Sequence, residues 1–277
     1  MNIKKLEITH PDKILFLKQK ITKLDLINYY NEVSNLMLPF FDERLISVVR
    51  CHFNVEKNKF FKKHPQINEN VERVKLKKNE NDYFYLKDKF QILSQVQLGT
   101  VEFHSYLYKL SSKTPDAMIF DLDPDVNLPI EKLREGVKTL KKFLDNLGLK
   151  SFLKTSGGKG YHVYIPFQKV SSFKKLNSIS RKIAQTLESN MPELFVTTIS
   201  KQKREGKIFI DFMRNTKNST CVMPYSVRAR ESAAISMPIS WRSLDKIAPN
   251  EITLKNYKNY IKTNYWKDFF KIQQNLL

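Results

Sequence analysis

The sequence predicts an α/β chain of the α+β type: a mixed sheet of split βαβ order flanked by helices, with an N-terminal lobe ahead of it. Three observations carry this expectation. Short apolar runs at 117–122, 151–154, 161–166 and 207–213 have strand length, and segments 130–147 and 173–190 repeat apolar residues at helical spacing. The resulting order is strand, helix, strand, strand, helix, strand, whereas a doubly wound sheet would alternate strictly. With 277 residues, 41% of them hydrophobic, the chain is long enough to bury a substantial core. It reads as one domain over 1–277, in which 1–115 is separable as a lobe and 116–277 as a palm-like half.

From the N-terminus, Thr22 to Leu38 reads as an amphipathic helix. Thr22 and Asp25 have capping-box spacing, Leu26, Tyr29, Tyr30, Val33 and Leu36 or Met37 form the apolar face, and Pro39 helps to end it. Leu45 to Arg50 is a strand running into a basic loop with Phe60-Phe61-Lys62-Lys63-His64-Pro65, and Val71 to Leu93 reads as short charged strands or loop. Ala117 to Leu122 is a buried strand; Ile130 to Leu147 is a helix with Leu133, Val137, Leu140, Leu144 and Leu147 at helical spacing and Gly148 as its stop. Ser151 to Lys154 and Tyr161 to Pro166 are strands joined by a glycine-rich turn, followed by a helix at Phe173 to Asn190 and strands at Phe195 to Ser200 and Lys207 to Met213. Palm-like and RNA-recognition-like sheets use this order. After Pro224 the chain is loop-rich to Trp241, and the Lys- and aromatic-rich C-terminal stretch reads as helical.

Composition narrows the function. The two cysteines, Cys51 and Cys221, stand far apart in no metal-ligand or redox spacing, which points to a reducing compartment without a zinc site. No run approaches the ~18 apolar residues of a membrane helix and no secretory pattern opens the chain, so a soluble cytoplasmic protein without a membrane partner is expected. Lys plus Arg number 48 against 28 Asp plus Glu, a formal charge of +20 that suits a polyanionic partner. Charge alone gives attraction to nucleic acid, not chemistry on it.

The chemistry resides in carboxylates. Asp121-Leu122-Asp123-Pro124 ends an apolar run, so in a strand both aspartates project from one face and repel unless a cation lies between them. Taken alone, Asp-x-Asp-Pro is equally a turn leaving a strand. Asp211 within Ile208-Phe209-Ile210-Asp211-Phe212 tips the balance, because a buried unpaired carboxylate is costly and must meet a cation or sit at an edge; the cation is a metal or, more plainly, Lys207 or Arg204 in a salt bridge. Three acids converging on one sheet suit one or two hard divalent ions.

Cations and glycines supply phosphate grips. Thr155-Ser156-Gly157-Gly158-Lys159-Gly160 joins two strands and so is not a P-loop; it is either a plain hairpin turn or a turn presenting N–H groups, the Ser156 hydroxyl and Lys159 to an anion. His162 follows on the next strand. Lys201 and Lys203 read as solvated, while Arg204 joins the candidate nucleotide ligands. Arg228 and Arg230 in Tyr225-Ser226-Val227-Arg228-Ala229-Arg230 share a face if that segment is extended, which suits forked contacts with phosphate.

Together these motifs, with His10-Pro11-Asp12-Lys13 and Phe60-Phe61-Lys62-Lys63-His64, resemble the polymerase domain of bacterial DNA ligase D. That family is a branch of the archaeo-eukaryotic primase superfamily serving non-homologous end joining, and the match covers nearly the whole chain. The resemblance implies a primase-like palm in which Asp121, Asp123 and Asp211 hold two divalent ions, commonly manganese (Mn2+), with Mg2+ the other candidate. It implies that Ser156, Gly157, Lys159 and His162 bind the nucleotide, that Arg228 and Arg230 lie near its triphosphate, and that His104 lies near the active site. Lys13 and Lys23 match positions that hold the 5′-phosphate of a downstream strand, and Phe60 and Phe61 match an aromatic pair that packs on the template or duplex end. The implied partners are double-strand-break ends, NTPs, a Ku-like protein and a DNA ligase, in the nucleoid. The chain departs from the family where His52 and Asn54 replace a proline and a glycine, and where Lys62 replaces a frequent glutamine.

The resulting reading is a template-directed nucleotidyltransferase that fills gaps or extends 3′ ends, with a preference for ribonucleotides. A primase starting chains de novo is the first alternative, separated by synthesis on unprimed single strands. A non-catalytic module bridging DNA ends is the second, separated by binding that falls with salt and incorporates no nucleotide.

Overall fold

A computed structural model of the chain describes residues 2–3, 6–78, 81–168 and 170–276. It divides into two units: Met1–Ser111 with Thr220–Ser236 and Ile252–Thr263, and Ser112–Ser219 with Met237–Glu251 and Asn264–Leu277.

In the first unit, helix α1 (Lys23–Phe41) starts on Thr22, whose hydroxyl accepts from Asp25 N while the Asp25 carboxylate accepts from Thr22 N, the capping box that the spacing predicts. The helix does not end at Leu38. Pro39 sits in its last turn, where the carbonyl it displaces belongs to exposed Asn35 and burial of Phe40 and Phe41 secures the extra residues. Tyr30 of α1 and Phe41 meet Phe103 edge-on, with ring centres 5.1 and 5.5 Å apart. Phe103 belongs to a four-stranded antiparallel sheet ordered Thr220–Val222, Thr100–Tyr106, Ile46–Cys51, Lys59–Lys62. The expected basic loop at Phe60 is therefore an edge strand at Lys59–Lys62, paired with the strand before it. Inside the charged stretch lies a helix that periodicity missed, α2 (Lys89–Gln97), capped by Asp88; at nine residues it offers too few turns to establish a period.

The second unit holds a six-stranded sheet in the order Phe195–Val196, Ile208–Asp211, Ala117–Pro124, Tyr161–Pro166, Phe152–Thr155, Pro238–Ile239. Its middle four strands, numbered along the chain, run fourth, first, third, second with antiparallel neighbours, which is the split βαβ order. Helices α3 (Ile130–Asn146) and α4 (Phe173–Asn190) pack on Ala117–Pro124. Gly136 of α3 approaches so closely that a Cβ there would lie 2.3 Å from Ile208 Cδ1. Ile208 pairs with Pro124, so the face of Phe120 and Leu122 is the one the helix covers, and Asp121 and Asp123 project from the other.

The C-terminal stretch forms no long helix. Among the described residues it contains only short 3-10 turns at Trp241–Ser243, Tyr257–Asn259 and Phe269–Lys271. Asn256 and Asn264 accept from Thr253 N and Trp266 N at 2.7 and 3.0 Å, side-chain bonds that compete with a helical ladder. Among the described residues no helix is long and apolar enough to cross a membrane.

Candidate active site

Ala117–Pro124 is flanked in register by two strands, so Asp121 faces His162 on one side and Asp211 on the other. Lys154 faces His162 in turn, giving a row of Lys154, His162, Asp121 and Asp211 across four strands on one face. Asp123 stands on the same face, one pleat further and exposed. Asp121 and Asp211, on two separate strands, are thus direct cross-strand neighbours. Lys154, fully buried with its Nζ 5.5 Å from the centre of the Tyr164 ring, was not predicted. The signal for it was the one that exposed Asp211, a charge within an otherwise apolar strand.

The row is electrostatically uneven. His162 Nε2 lies 3.4 Å from Asp121 Oδ1. Burial acts to raise the Asp121 pKa, but His162, then Arg214 and Lys154, more than offset it and hold the carboxyl down at about 2. Asp211 is pushed upward, first by burial and then, against the pull of Arg214, by the neighbouring charge of Asp121. Its Oδ1 accepts from Met213 N at 2.9 Å and its Oδ2 pairs with Arg214 Nε at 3.1 Å. The salt-bridge partner of Asp211 is thus Arg214, not Lys207 or Arg204. Arg204 instead donates to the carbonyls of Thr198 and Ile199 and lies 3.6 Å from the centre of the Phe209 ring.

Among the described residues no three histidine, cysteine or acidic side chains already converge on a common point. Asp121 is turned to His162 and Asp211 to Arg214. The donor set of three carboxylates is nonetheless the all-oxygen kind that hard divalent ions prefer, and two of its members are direct cross-strand neighbours. The residues fit a divalent-ion site in kind, with Arg214 as the group that must give way.

Beside the row, the glycine-rich turn is closed from within. Ser156 Oγ accepts from Gly158 N and Gly160 N at 3.0 and 3.2 Å, and Gly157 N donates to Pro249 O at 3.0 Å. The N–H groups expected to greet an anion are therefore largely engaged, leaving exposed Lys159 as the projecting cation. Gly160 is needed for position: a Cβ there would lie 1.9 Å from Leu122 O, so only glycine lets the turn lie against Leu122 and Asp123.

In the first unit, the buried carboxylate of Glu102 organises several expected site residues. Its Oε2 bonds His104 Nε2 at 2.8 Å, and its Oε1 accepts from Ala229 N at 2.7 Å and lies 3.2 Å from Arg228 Nε. Burial opposes ionisation, yet His104 and Arg228 hold Glu102 at about 2. The segment carrying the arginines is not extended throughout: the strand ends at Val227, and Arg230 N donates to Arg228 O at 2.8 Å, bending the chain. Arg228 is half-buried and Arg230 exposed, so the two do not share a strand face.

Phe60 and Phe61 also part company, because neighbours on a strand point to opposite faces. Phe60 lies against His52 and Phe61 against His104, with ring centres 5.0 and 5.5 Å apart. Arg50, Glu69 and Lys62 form a buried cluster, with Glu69 held at about 2 by Arg50 and Lys62 against the effect of burial. Lys13 and Lys23 line a cavity of about 310 Å3 with Thr9, His10, His52 and Leu98. Lys23 donates to Thr9 O at 2.7 Å, Lys13 donates to His52 O, and burial together with Lys13 lowers Lys23 to about 8.

The chain is also similar to proteins of known family. The profile of the family described as LigD, primase-polymerase domain, matches residues 22–270. The multifunctional non-homologous end joining protein LigD of Pseudomonas aeruginosa is 32% identical over 87% of this chain and 29% of its own length. The bifunctional LigD of Bacillus subtilis is 28% identical over 93% of this chain and 43% of its own length. The chain thus spans less than half of either relative. The solved polymerase domain from Mycobacterium tuberculosis ligase D in complex with DNA superimposes with a TM-score of 0.87 at 26% identity, covering 95% of this chain and 96% of that one.

Proposed function

The chain belongs to the LigD primase-polymerase domain family, a family of metal-dependent nucleotidyltransferases, and on that premise we propose that it fills gaps and extends 3′ ends at double-strand breaks during non-homologous end joining. The observation that carries this reading is the cross-strand pairing of Asp121 with Asp211, with Asp123 on the same face. Divalent ions at such acids activate an attacking 3′-hydroxyl and neutralise charge on phosphate oxygens. Asp121, Asp123 and Asp211 hold them. His162 and Lys159 meet nucleotide phosphate, while Ser156 and Gly157 fix the turn that presents Lys159. Arg204, Arg228, Arg230 and His104 bind further nucleotide groups. Lys13 and Lys23 take the 5′-phosphate of the downstream strand, and Phe60 and Phe61 pack on template and duplex end. Manganese is the preferred ion and ribonucleotides the preferred substrate, and the enzyme acts with a Ku-like end binder and a ligase in the nucleoid.

Extension of a primer on a gapped duplex, with and without a downstream 5′-phosphate, tests this with ribo- and deoxynucleotides and with Mn2+ or Mg2+. We expect incorporation that needs the divalent ion and rises with the phosphate. Binding that falls with salt but yields no incorporation under any divalent ion would instead establish the bridging module.

A further inference from the structure

The Lys13–Lys23 cavity has two chemistries side by side. Its floor is cationic, and none of the described residues lining it is acidic. Its rim is apolar: Leu98 is 45% exposed, and Phe53, next to the lining residue His52, is 60% exposed, the most of any large aromatic side chain named in this unit. Lys13 Nζ lies 5.9 Å from the centre of the Phe53 ring, so the ammonium and the ring face one another. His52 continues the rim toward Phe60 through their tilted ring pair. A phosphate alone satisfies the floor and leaves the rim in water. A nucleotide satisfies both, since it joins a dianion to a flat apolar base.

We infer that the cavity takes a whole 5′-terminal nucleotide, the phosphate on Lys13 and Lys23 and the base stacked on Phe53; this rests on the reading of the two lysines as a 5′-phosphate site. Stacking on a ring accepts any base, which suits ends of arbitrary sequence.

The test uses the full chain and gapped duplexes whose downstream strand carries a 5′-phosphate on either an ordinary first nucleotide or an abasic one. Affinity is measured for the parent and for Phe53→Ala, and fluorescence is read from 2-aminopurine at the first downstream position. We expect Phe53→Ala to weaken binding of the base-bearing duplex roughly five- to a hundredfold, to leave the abasic duplex unchanged, and to abolish the fluorescence change on binding. Equal loss on both duplexes, or loss on neither, overturns the inference. Should the parent bind phosphorylated and unphosphorylated duplexes equally, the phosphate reading fails first and the inference with it.

Discussion

The two units handle surplus charge in opposite ways. In the second, acids that would repel one another are held by borrowed cations: His162 at Asp121 and Arg214 at Asp211. In the first, two lysines share a cavity with no acid among its described lining residues, and one is left with a weakened hold on its proton. The difference teaches what each region awaits. On the proposed reading, the acidic row exchanges its protein cations for metal ions, and the cationic cavity takes an anion.

The largest expected effect breaks the acidic side. Asp121→Ala and Asp123→Ala should each lower primer extension by roughly a thousandfold or more, the scale of several kcal/mol of lost charge stabilisation. Asp123 is exposed, so its variant should melt with the parent; full activity in either would remove the metal assignment. Next comes the carboxylate that organises the first unit. Glu102→Ala removes the acceptor of His104, Arg228 and Ala229 N, and we expect a loss of about 3 kcal/mol by denaturant titration. Glu102 and Glu69 both titrate at about 2, below the usual 4.5, so the stability they confer is complete above about pH 4.5 and is lost as pH falls toward 2.

A smaller effect sharpens the comparison on the basic side. Lys23 titrates at about 8 beside Lys13, His10, His52 and Cys51, whose thiol burial raises to about 11. Lys23 is charged below about pH 8, and a bound phosphate favours that form. The gain in affinity from a 5′-phosphate should therefore fade as pH rises above about 8, and Lys23→Ala should flatten the profile. Arg214→Gln should tighten Mn2+ binding about three- to tenfold by EPR titration, a modest gain because Arg214 is 44% exposed; unchanged affinity would mean that the arginine is not a placeholder. Smallest is Thr22→Ala, which removes the α1 cap at a cost of about 1 kcal/mol in chemical denaturation.

Much of the second unit was legible because its signals are local. Apolar periodicity marked α3 and α4, and charges inside apolar strands marked Asp121 and Asp211. What escaped was set by pairing across the chain. Nothing near Asp211 in sequence distinguishes Arg214 from Lys207 as its partner, since only the turn after Phe212 brings one of them round. The same holds for Glu102, whose partners at Arg228 and Ala229 lie more than a hundred residues away. The Phe60–Phe61 segment looked like a loop because an edge strand with both rings exposed lacks the alternation that marks a half-buried one. The C-terminal stretch looked helical by composition and was governed by asparagine side chains bonding to backbone.

The most direct measurement is the anomalous difference density of crystals soaked in Mn2+. We expect peaks within coordination distance of Asp121, Asp123 and Asp211, with the Arg214 guanidinium withdrawn from Asp211. Density elsewhere, with the Arg214–Asp211 pair intact at saturating metal, would contradict a shared ion site on this sheet.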